Sequence, residues 1–72
     1  MKKTEEQLLK AGLDLFSSKG YVDANTKEIA NLAGVSEMTL FRRFESKQQL
    51  FISTIRYALK KQRLKQRQSM RA

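Results

Sequence analysis

The stretch that decides the fold runs from Thr26 to Lys47 and reads TKEIANLAGVSEMTLFRRFESK. Its first part spaces Ile29, Ala30 and Ala33 three and four residues apart, which is typical of a helix with one buried face. Gly34 comes next, and glycine can adopt the positive φ that a sharp turn between two helices requires. The stretch therefore predicts two short helices that meet at an angle, followed by the start of another.

The segment after this turn has an apolar side and a polar, cationic side. Ser36 is a favourable N-cap for it, because a serine hydroxyl can accept a hydrogen bond from a free backbone N–H. At 100° per residue, one side carries Leu40, Phe41 and Phe44, and the other carries Met38, Thr39, Arg42 and Arg43. A helix of about eight residues with this pattern suits the major groove of DNA. The pattern predicts a helix-turn-helix over about residues 26–44, with Glu37–Phe44 as the recognition helix.

Length and composition limit the possible classes of protein. The 72 residues make one small domain, and without cysteine or histidine it has no disulfide framework and no expected metal site or cofactor. An enzyme is the least favoured class, because a phosphate-binding glycine loop is missing as well. No apolar run approaches the roughly 18 residues that a membrane span needs. The N-terminus, MKKTEEQLLK, is too charged for a signal peptide, so we expect a cytoplasmic protein.

The net charge of +8 is unevenly distributed along the chain. Residues 1–41 carry five Lys and six Asp or Glu, a sum of −1, whereas residues 42–72 carry ten Lys or Arg and one Glu, a sum of +9. A basic half beside a nearly neutral half indicates a polyanionic partner, with nucleic acid favoured. The alternative is a basic helix end that is simply solvated.

The first helix is predicted from about Glu5 to Ser18, with a capping box formed by Thr4 and Gln7. Gly12 should allow a neighbouring helix to approach closely. Lys19 and Gly20 are typical of a helix end, and Tyr21 with Val22 is expected to fold back over it as a hydrophobic clasp. The buried stripe of this helix is predicted to be Leu8, Leu9, Ala11, Leu13, Leu15 and Phe16.

Two further capping boxes mark the starts of the second and fourth helices. Asn25 with Glu28 places Thr26 and Lys27 at a helix N-terminus, where they either bind phosphate or only cap the helix in solvent. Ser46 with Gln49 opens the fourth helix, and Lys47 in its first turn is mildly unfavourable unless a phosphate lies near. The residues predicted to close the core from this helix are Leu50, Phe51, Ile52, Ile55, Ala58 and Leu59, after which we expect fraying.

The chain resembles the N-terminal DNA-binding domain of the tetracycline-repressor (TetR/AcrR) family of bacterial transcriptional regulators. The matching features are Leu9–Ala11, Leu15-Phe16, Gly20-Tyr21 and the block IANLAGVSEMTLFRRFESKQQL. That block is similar to the family's usual IA-x-x-AGVS-x-x-TLY-x-x-F-x-SK-x-x-L. The resemblance covers about residues 5–59. It is specific, because motif spacing, cap positions and helix order all agree.

The resemblance implies an all-α fold: a three-helix, homeodomain-like helix-turn-helix bundle with a fourth helix that extends C-terminally. Residues 1–59 would form the DNA-binding domain and residues 60–72 the basic end of the fourth helix and a frayed tail. The family's ligand-binding and dimerisation domain is expected to lie outside these 72 residues. The implied function is sequence-specific binding of double-stranded DNA by a regulator, a repressor relieved by a small molecule.

The resemblance also implies partners and site residues. A full-length relative would bind a pseudo-palindromic operator as a homodimer in the bacterial cytoplasm, associated with the nucleoid. This chain alone should be largely monomeric for a different reason: its apolar residues are needed to close one small core and leave no long heptad seam for a partner. Phe41 departs from the family's tyrosine and is assigned to packing, and Arg43 stands where tyrosine or histidine is frequent. Glu37 either favours the helix dipole or contacts a cytosine amino group. The candidate DNA-binding residues are Thr26, Lys27, Ser36, Glu37, Met38, Thr39, Arg42, Arg43 and Lys47.

Two other binding functions remain as alternatives on the same scaffold. A module for anionic membrane surfaces is weakly supported, because the segment after Leu59 has little apolar face. A protein-interaction adaptor is disfavoured by the outward arginines, Arg42 and Arg43. We therefore expect a DNA partner and no membrane.

Overall fold

Four helices make up the part of the chain that the computed structural model describes, which is residues 3–71 and the side chains of residues 3–61. They are α1 (Lys3–Asp23), α2 (Thr26–Ala33), α3 (Glu37–Arg43) and α4 (Lys47–Arg71). Helix α1 packs against both α2 and α4, and α3 packs against α2. The predicted all-α fold is confirmed, with its helices in the predicted order.

One cluster of apolar side chains fills the space between the helices. All four helices contribute to it, and Val35 packs against it from the turn between α2 and α3. Leu8, Ile29, Leu40 and Leu50 are completely buried, so each helix sends one large side chain to the centre. The other buried apolar residues are Leu9, Ala11, Phe16, Ala24, Ala30, Ala33 and Phe44.

Helix α1 starts earlier than predicted, and at its predicted end the helix breaks at Gly20 and then continues for one more turn. It begins at Lys3, so Thr4 lies within its first turn instead of preceding it. Gly20 has φ 85° and ψ 168°, which breaks the helix before a last turn through Asp23. Tyr21 folds back as predicted and stacks on Phe16, but Val22 is 85% exposed. The predicted clasp was thus wrong for Val22, because the tyrosine ring alone reaches back over the helix end.

The contact between α1 and α4 is closest at Gly12. A Cβ atom at this position would lie 2.9 Å from Cγ2 of Thr54, so only glycine fits without displacing its neighbour. Thr54 is 1% exposed, and its hydroxyl donates a 2.6 Å hydrogen bond to the carbonyl of Phe51. The predicted close approach at Gly12 therefore occurs, with a buried threonine that the apolar pattern did not reveal.

This contact determines which face of α4 is buried. Leu50 and Thr54 face α1, and Phe51 and Tyr57 pack at the edge of the core. The prediction that Ile52, Ile55 and Leu59 close the core was wrong, since they are 39%, 42% and 58% exposed. They lie on the other side of α4 from the residues that meet Gly12.

Helix α4 is continuous to Arg71. It therefore extends well past Leu59, where the apolar pattern stops. The fraying expected after Leu59 stays a prediction, and the side chains of residues 62–72 lie outside the described residues.

Candidate nucleic-acid interface

The turn between α2 and α3 is closed by hydrogen bonds of the main chain. Gly34 adopts a left-handed conformation, φ 78° and ψ 26°, and its N–H donates to the carbonyl of Asn31 at 3.1 Å. The N–H of Val35 donates to the carbonyl of Ala30 at 3.0 Å. This is the pattern of a Schellman C-cap, and it confirms the turn predicted at Gly34.

Side-chain caps define where three of the helices begin. The Asn25 side chain accepts a 2.8 Å hydrogen bond from the N–H of Glu28, which starts α2 at Thr26. Ser36 accepts from the N–H of Thr39 at 3.1 Å, and Ser46 accepts from the N–H of Gln49 at 3.2 Å. These three caps are confirmed. The other N–H groups at the start of each helix have no intrahelical acceptor.

The orientation of α3 follows from its buried side. Leu40 is fully buried, Phe44 just beyond the helix is 9% exposed, and Met38 on the far side is 68% exposed. Arg42 is also exposed. The prediction that Phe41 packs inside was wrong, since it is 43% exposed. Leu40 and Phe44, four residues apart, share the core face, and Phe41 is turned about 100° away from Leu40.

Arg43 differs from Arg42 in its environment. Its Nη1 lies 3.8 Å from Oε1 of Glu5, which joins the end of α3 to the first turn of α1. The two side chains are 32% and 38% exposed, so this ion pair is weak. Even a weak pair aims the guanidinium of Arg43 toward α1. Arg42 has no ion-pair partner within the described residues.

A second contact joins the beginnings of α2 and α3. The hydroxyl of Thr26 donates a 2.7 Å hydrogen bond to Oε2 of Glu37. The hydroxyls of Ser36 and Thr39 lie 3.0 Å apart and are also hydrogen-bonded. Four candidate residues, Thr26, Ser36, Glu37 and Thr39, are therefore held together in pairs, whereas Lys27 is exposed.

Lys47, in the first turn of α4, lies against the end of α1. Its Nζ donates to the carbonyl of Val22 at 3.4 Å and lies 4.7 Å from the centre of the Tyr21 ring. Sequence reasoning missed this role for Tyr21, because the two residues are far apart along the chain. The only signal was the lysine itself, whose charge is unfavourable at a helix N-terminus without a nearby partner.

Other kinds of site receive no support within the described residues. No group of three or more His, Cys, Asp or Glu there could hold a metal ion. No helix among them has both the length and the apolar character needed to cross a membrane.

Comparison with known proteins agrees with this geometry. The family model described as "Bacterial regulatory proteins, tetR family" matches residues 8–54. The HTH-type transcriptional regulator RutR of Escherichia coli (strain K12) is 40% identical over 55 residues, which are 76% of this chain and 26% of RutR.

Two further relatives match this chain over similar lengths. An uncharacterized HTH-type transcriptional regulator, YvkB of Bacillus subtilis, is 48% identical over 50 residues, 69% of this chain and 26% of YvkB. The HTH-type transcriptional activator FasR of Mycolicibacterium smegmatis is 41% identical over 49 residues, 68% of this chain and 22% of FasR. The chain thus spans about a quarter of the length of the curated relatives it matches. It belongs to the TetR family of bacterial regulatory proteins, a non-enzymatic family, and is a helix-turn-helix DNA-binding domain of that family.

Proposed function

We propose that this domain reads double-stranded DNA by inserting α3 into the major groove, with Met38 and Arg42 toward the base edges and Thr39 toward the DNA backbone. The observation that carries the proposal is the orientation of α3, in which Leu40 is fully buried and Met38 is 68% exposed. An arginine can donate two hydrogen bonds to guanine, and an apolar side chain can contact the methyl group of thymine. Arg42 and Met38 supply these two chemistries on one exposed face.

The first turns of α2 and α4 are the proposed anchors on the DNA backbone. Free N–H groups and the positive end of the helix dipole favour a phosphate there, and Lys27 and Lys47 add positive charge. The hydroxyl of Thr26 already donates to Glu37, so Thr26 offers phosphate its backbone N–H. Ser36 takes part in the site by capping α3 and by its hydrogen bond with the hydroxyl of Thr39.

Glu37 and Arg43 have more restricted roles in this proposal. One carboxylate oxygen of Glu37 accepts from Thr26, and the other can accept from the amino group of a cytosine. Arg43 is drawn toward Glu5, away from the centre of the exposed face. It therefore contacts phosphate and not a base.

The regulatory part of the proposal concerns segments outside this chain. We infer a repressor in the bacterial cytoplasm, released from a pseudo-palindromic operator when a small molecule binds a second, dimerising domain. Its support is membership of the TetR family and the quarter-length match to the relatives. FasR is named an activator, so a reporter gene placed behind the bound operator is needed to determine whether this protein represses or activates transcription. Transcription that rises when the gene is deleted supports repression, and transcription that falls contradicts it.

The DNA-binding proposal is tested by comparing Arg42→Ala with Arg43→Ala. The duplex is selected from random sequences, and affinity is measured on every single-base variant of it. Arg42→Ala should lose roughly 1–3 kcal/mol of binding free energy and should no longer discriminate between bases at one position of the duplex. Arg43→Ala should weaken binding to all variants alike.

The matched control is Arg56→Ala, which removes the same charge from an exposed position of α4. Its affinity should stay within the error of the unmodified chain. An equal loss on every duplex for both Arg42→Ala and Arg43→Ala would defeat the assignment of base and phosphate contacts.

A further inference from the structure

We propose that Tyr21 is a positioning residue for DNA binding, because its ring holds the ammonium group of Lys47 in place for a phosphate. The inference rests on the proposed phosphate contact of Lys47. It adds a role for a residue that would not itself have to touch the nucleic acid.

Two other aromatic rings fix the orientation of Tyr21. Gly20, with φ 85° and ψ 168°, turns the chain so that the Tyr21 ring lies back on α1. There it stacks on Phe16 with the ring centres 5.9 Å apart, and it packs in a T-shaped arrangement with Phe51, whose ring centre is 4.9 Å away. Phe16 and Phe51 are themselves 5.0 Å apart and nearly perpendicular. Because these rings come from both α1 and α4, Tyr21 cannot move independently of either helix.

The ammonium group of Lys47 has two partners on this platform. Its Nζ is 4.7 Å from the centre of the Tyr21 ring, within the range of a cation–π interaction. It is also 3.4 Å from the carbonyl oxygen of Val22, which accepts one of its three N–H groups. At least one N–H therefore remains for a phosphate oxygen.

This arrangement improves binding by reducing disorder before DNA arrives. A lysine side chain has many rotamers, and fixing it on binding reduces affinity. Lys47 is half-buried, and the ring and the carbonyl already hold it at the first turn of α4. Phosphate favours the same place, because the helix N-terminus presents free N–H groups. Tyr21 would thus strengthen the Lys47–phosphate contact without making one.

The test measures affinity and salt dependence for three variants of the full chain on a selected duplex. Lys47→Ala should bind more weakly and lower the log–log salt slope by about 0.9, the value for one phosphate. Tyr21→Leu removes the π face and should weaken binding roughly two- to fivefold, the range expected from losing an exposed cation–π contact. Tyr21→Phe keeps the ring and should bind as the unmodified chain does.

The double variant distinguishes positioning from a general loss of structure. If Tyr21 acts through Lys47, Tyr21→Leu should cost nothing further in the Lys47→Ala background. A further loss there, equal to that in the unmodified chain, would overturn the proposal. So would a wild-type affinity for Tyr21→Leu beside a weakened Lys47→Ala, and the proposed phosphate contact would then stand. Unchanged binding by Lys47→Ala would instead remove the phosphate contact itself.

A second measurement covers the case in which Tyr21→Leu does not fold. The ε-protons of Lys47 should be shifted upfield in the NMR spectrum by the ring current of Tyr21. The upfield shift should remain in Tyr21→Phe. Adding the duplex should change the Lys47 signal, but the signal should stay upfield of the ordinary lysine position. Lys47 ε-protons at the ordinary lysine position in the unmodified domain would overturn the proposal.

Discussion

The hydroxyl of Thr26 and the carboxylate of Glu37 form a 2.7 Å hydrogen bond between the first turns of α2 and α3. The two residues are eleven positions apart and belong to different helices, so the bond fixes one end of α3 relative to α2. The turn at Gly34 fixes the path of the chain between them. Glu37 therefore takes part in the shape of the helix-turn-helix as well as facing the proposed interface.

We expect this bond to contribute measurably to stability. Thr26→Val and Glu37→Ala should each lower the free energy of unfolding by about 0.5–1.5 kcal/mol, the usual net value of a hydrogen bond. The double variant should lose less than the sum of the two, because the residues interact directly. Urea denaturation followed by circular dichroism measures all three. Glu45→Ala, at an exposed position without a side-chain partner among the described residues, is the control. Strict additivity would contradict a direct interaction.

The contact between α1 and α4 predicts a compensating pair of substitutions. Gly12→Ala would place its Cβ 2.9 Å from Cγ2 of Thr54, and the buried, hydrogen-bonded threonine cannot easily turn away. Overpacking costs about 1–3 kcal/mol, against a helix-propensity gain of about 1 kcal/mol for alanine over glycine. We therefore expect a net loss of stability.

Thr54→Ser tests the cause of that loss. It removes the methyl group and keeps the hydroxyl that donates to Phe51. Combined with Gly12→Ala, it should recover most of the stability in urea denaturation. If the double variant is no more stable than Gly12→Ala alone, then the Thr54 methyl group is not the obstacle.

The two glycines with positive φ should respond differently to asparagine. Gly34 has left-handed helical angles, where alanine costs about 1–2 kcal/mol and asparagine is better tolerated. Gly20, at φ 85° and ψ 168°, lies in a region that is essentially restricted to glycine. A Cβ at either position meets no atom within 4 Å, so backbone conformation alone decides the outcome.

Thermal denaturation of Gly34→Asn, Gly34→Ala, Gly20→Asn and Gly20→Ala checks this expectation. At position 34, asparagine should lower the melting temperature clearly less than alanine does. At position 20, the two substitutions should lower it by about the same amount. A mild effect of Gly20→Asn would show that the chain there relaxes to other angles.

The isolated chain should be largely monomeric and should bind a half-site weakly. The exposed apolar residues of α4, Ile52, Ile55 and Leu59, extend over only about two turns, whereas a stable coiled-coil seam needs three to four heptads. Arg56 and Lys60 lie beside them and would repel a second copy. A single DNA-binding domain also lacks the gain in affinity that two linked domains have.

Sedimentation without DNA tests the oligomeric state, and a salt titration with DNA tests the affinity and its salt dependence. We expect a monomer, a dissociation constant in the micromolar range or weaker, and a log–log slope of about 0.9 for each phosphate neutralised. Ile55→Glu is the matched variant and should leave the sedimentation unchanged. A stable dimer that Ile55→Glu dissociates would identify the exposed face of α4 as an interface.

Local signals in the sequence predicted the helix-turn-helix well. Asn25, Ser36 and Ser46 act on backbone groups three residues away, and the turn at Gly34 depends on neighbours within five residues. A residue's own sequence neighbourhood therefore contains the information. Sequence also placed Met38 on the exposed side and Leu40 on the buried side of α3.

Contacts between distant segments could not be predicted in the same way. The periodicity of α4 fits a stripe through Ile52 and Ile55, and the buried stripe runs through Thr54 because glycine lies opposite it on α1. The partners of Lys47 are likewise twenty-five and twenty-six residues away. Such pairs depend on how whole helices meet, which no local pattern encodes.

The turn at Gly34 also bears on how readily the specificity of this domain can be changed. Because main-chain hydrogen bonds close it, the side chains of Met38 and Arg42 are not needed to build it. New residues at these two positions would lie on the same exposed face of the same scaffold. With the proposed binding mode, selection, in nature or in the laboratory, can therefore alter the DNA sequence that is recognised without first repairing the fold.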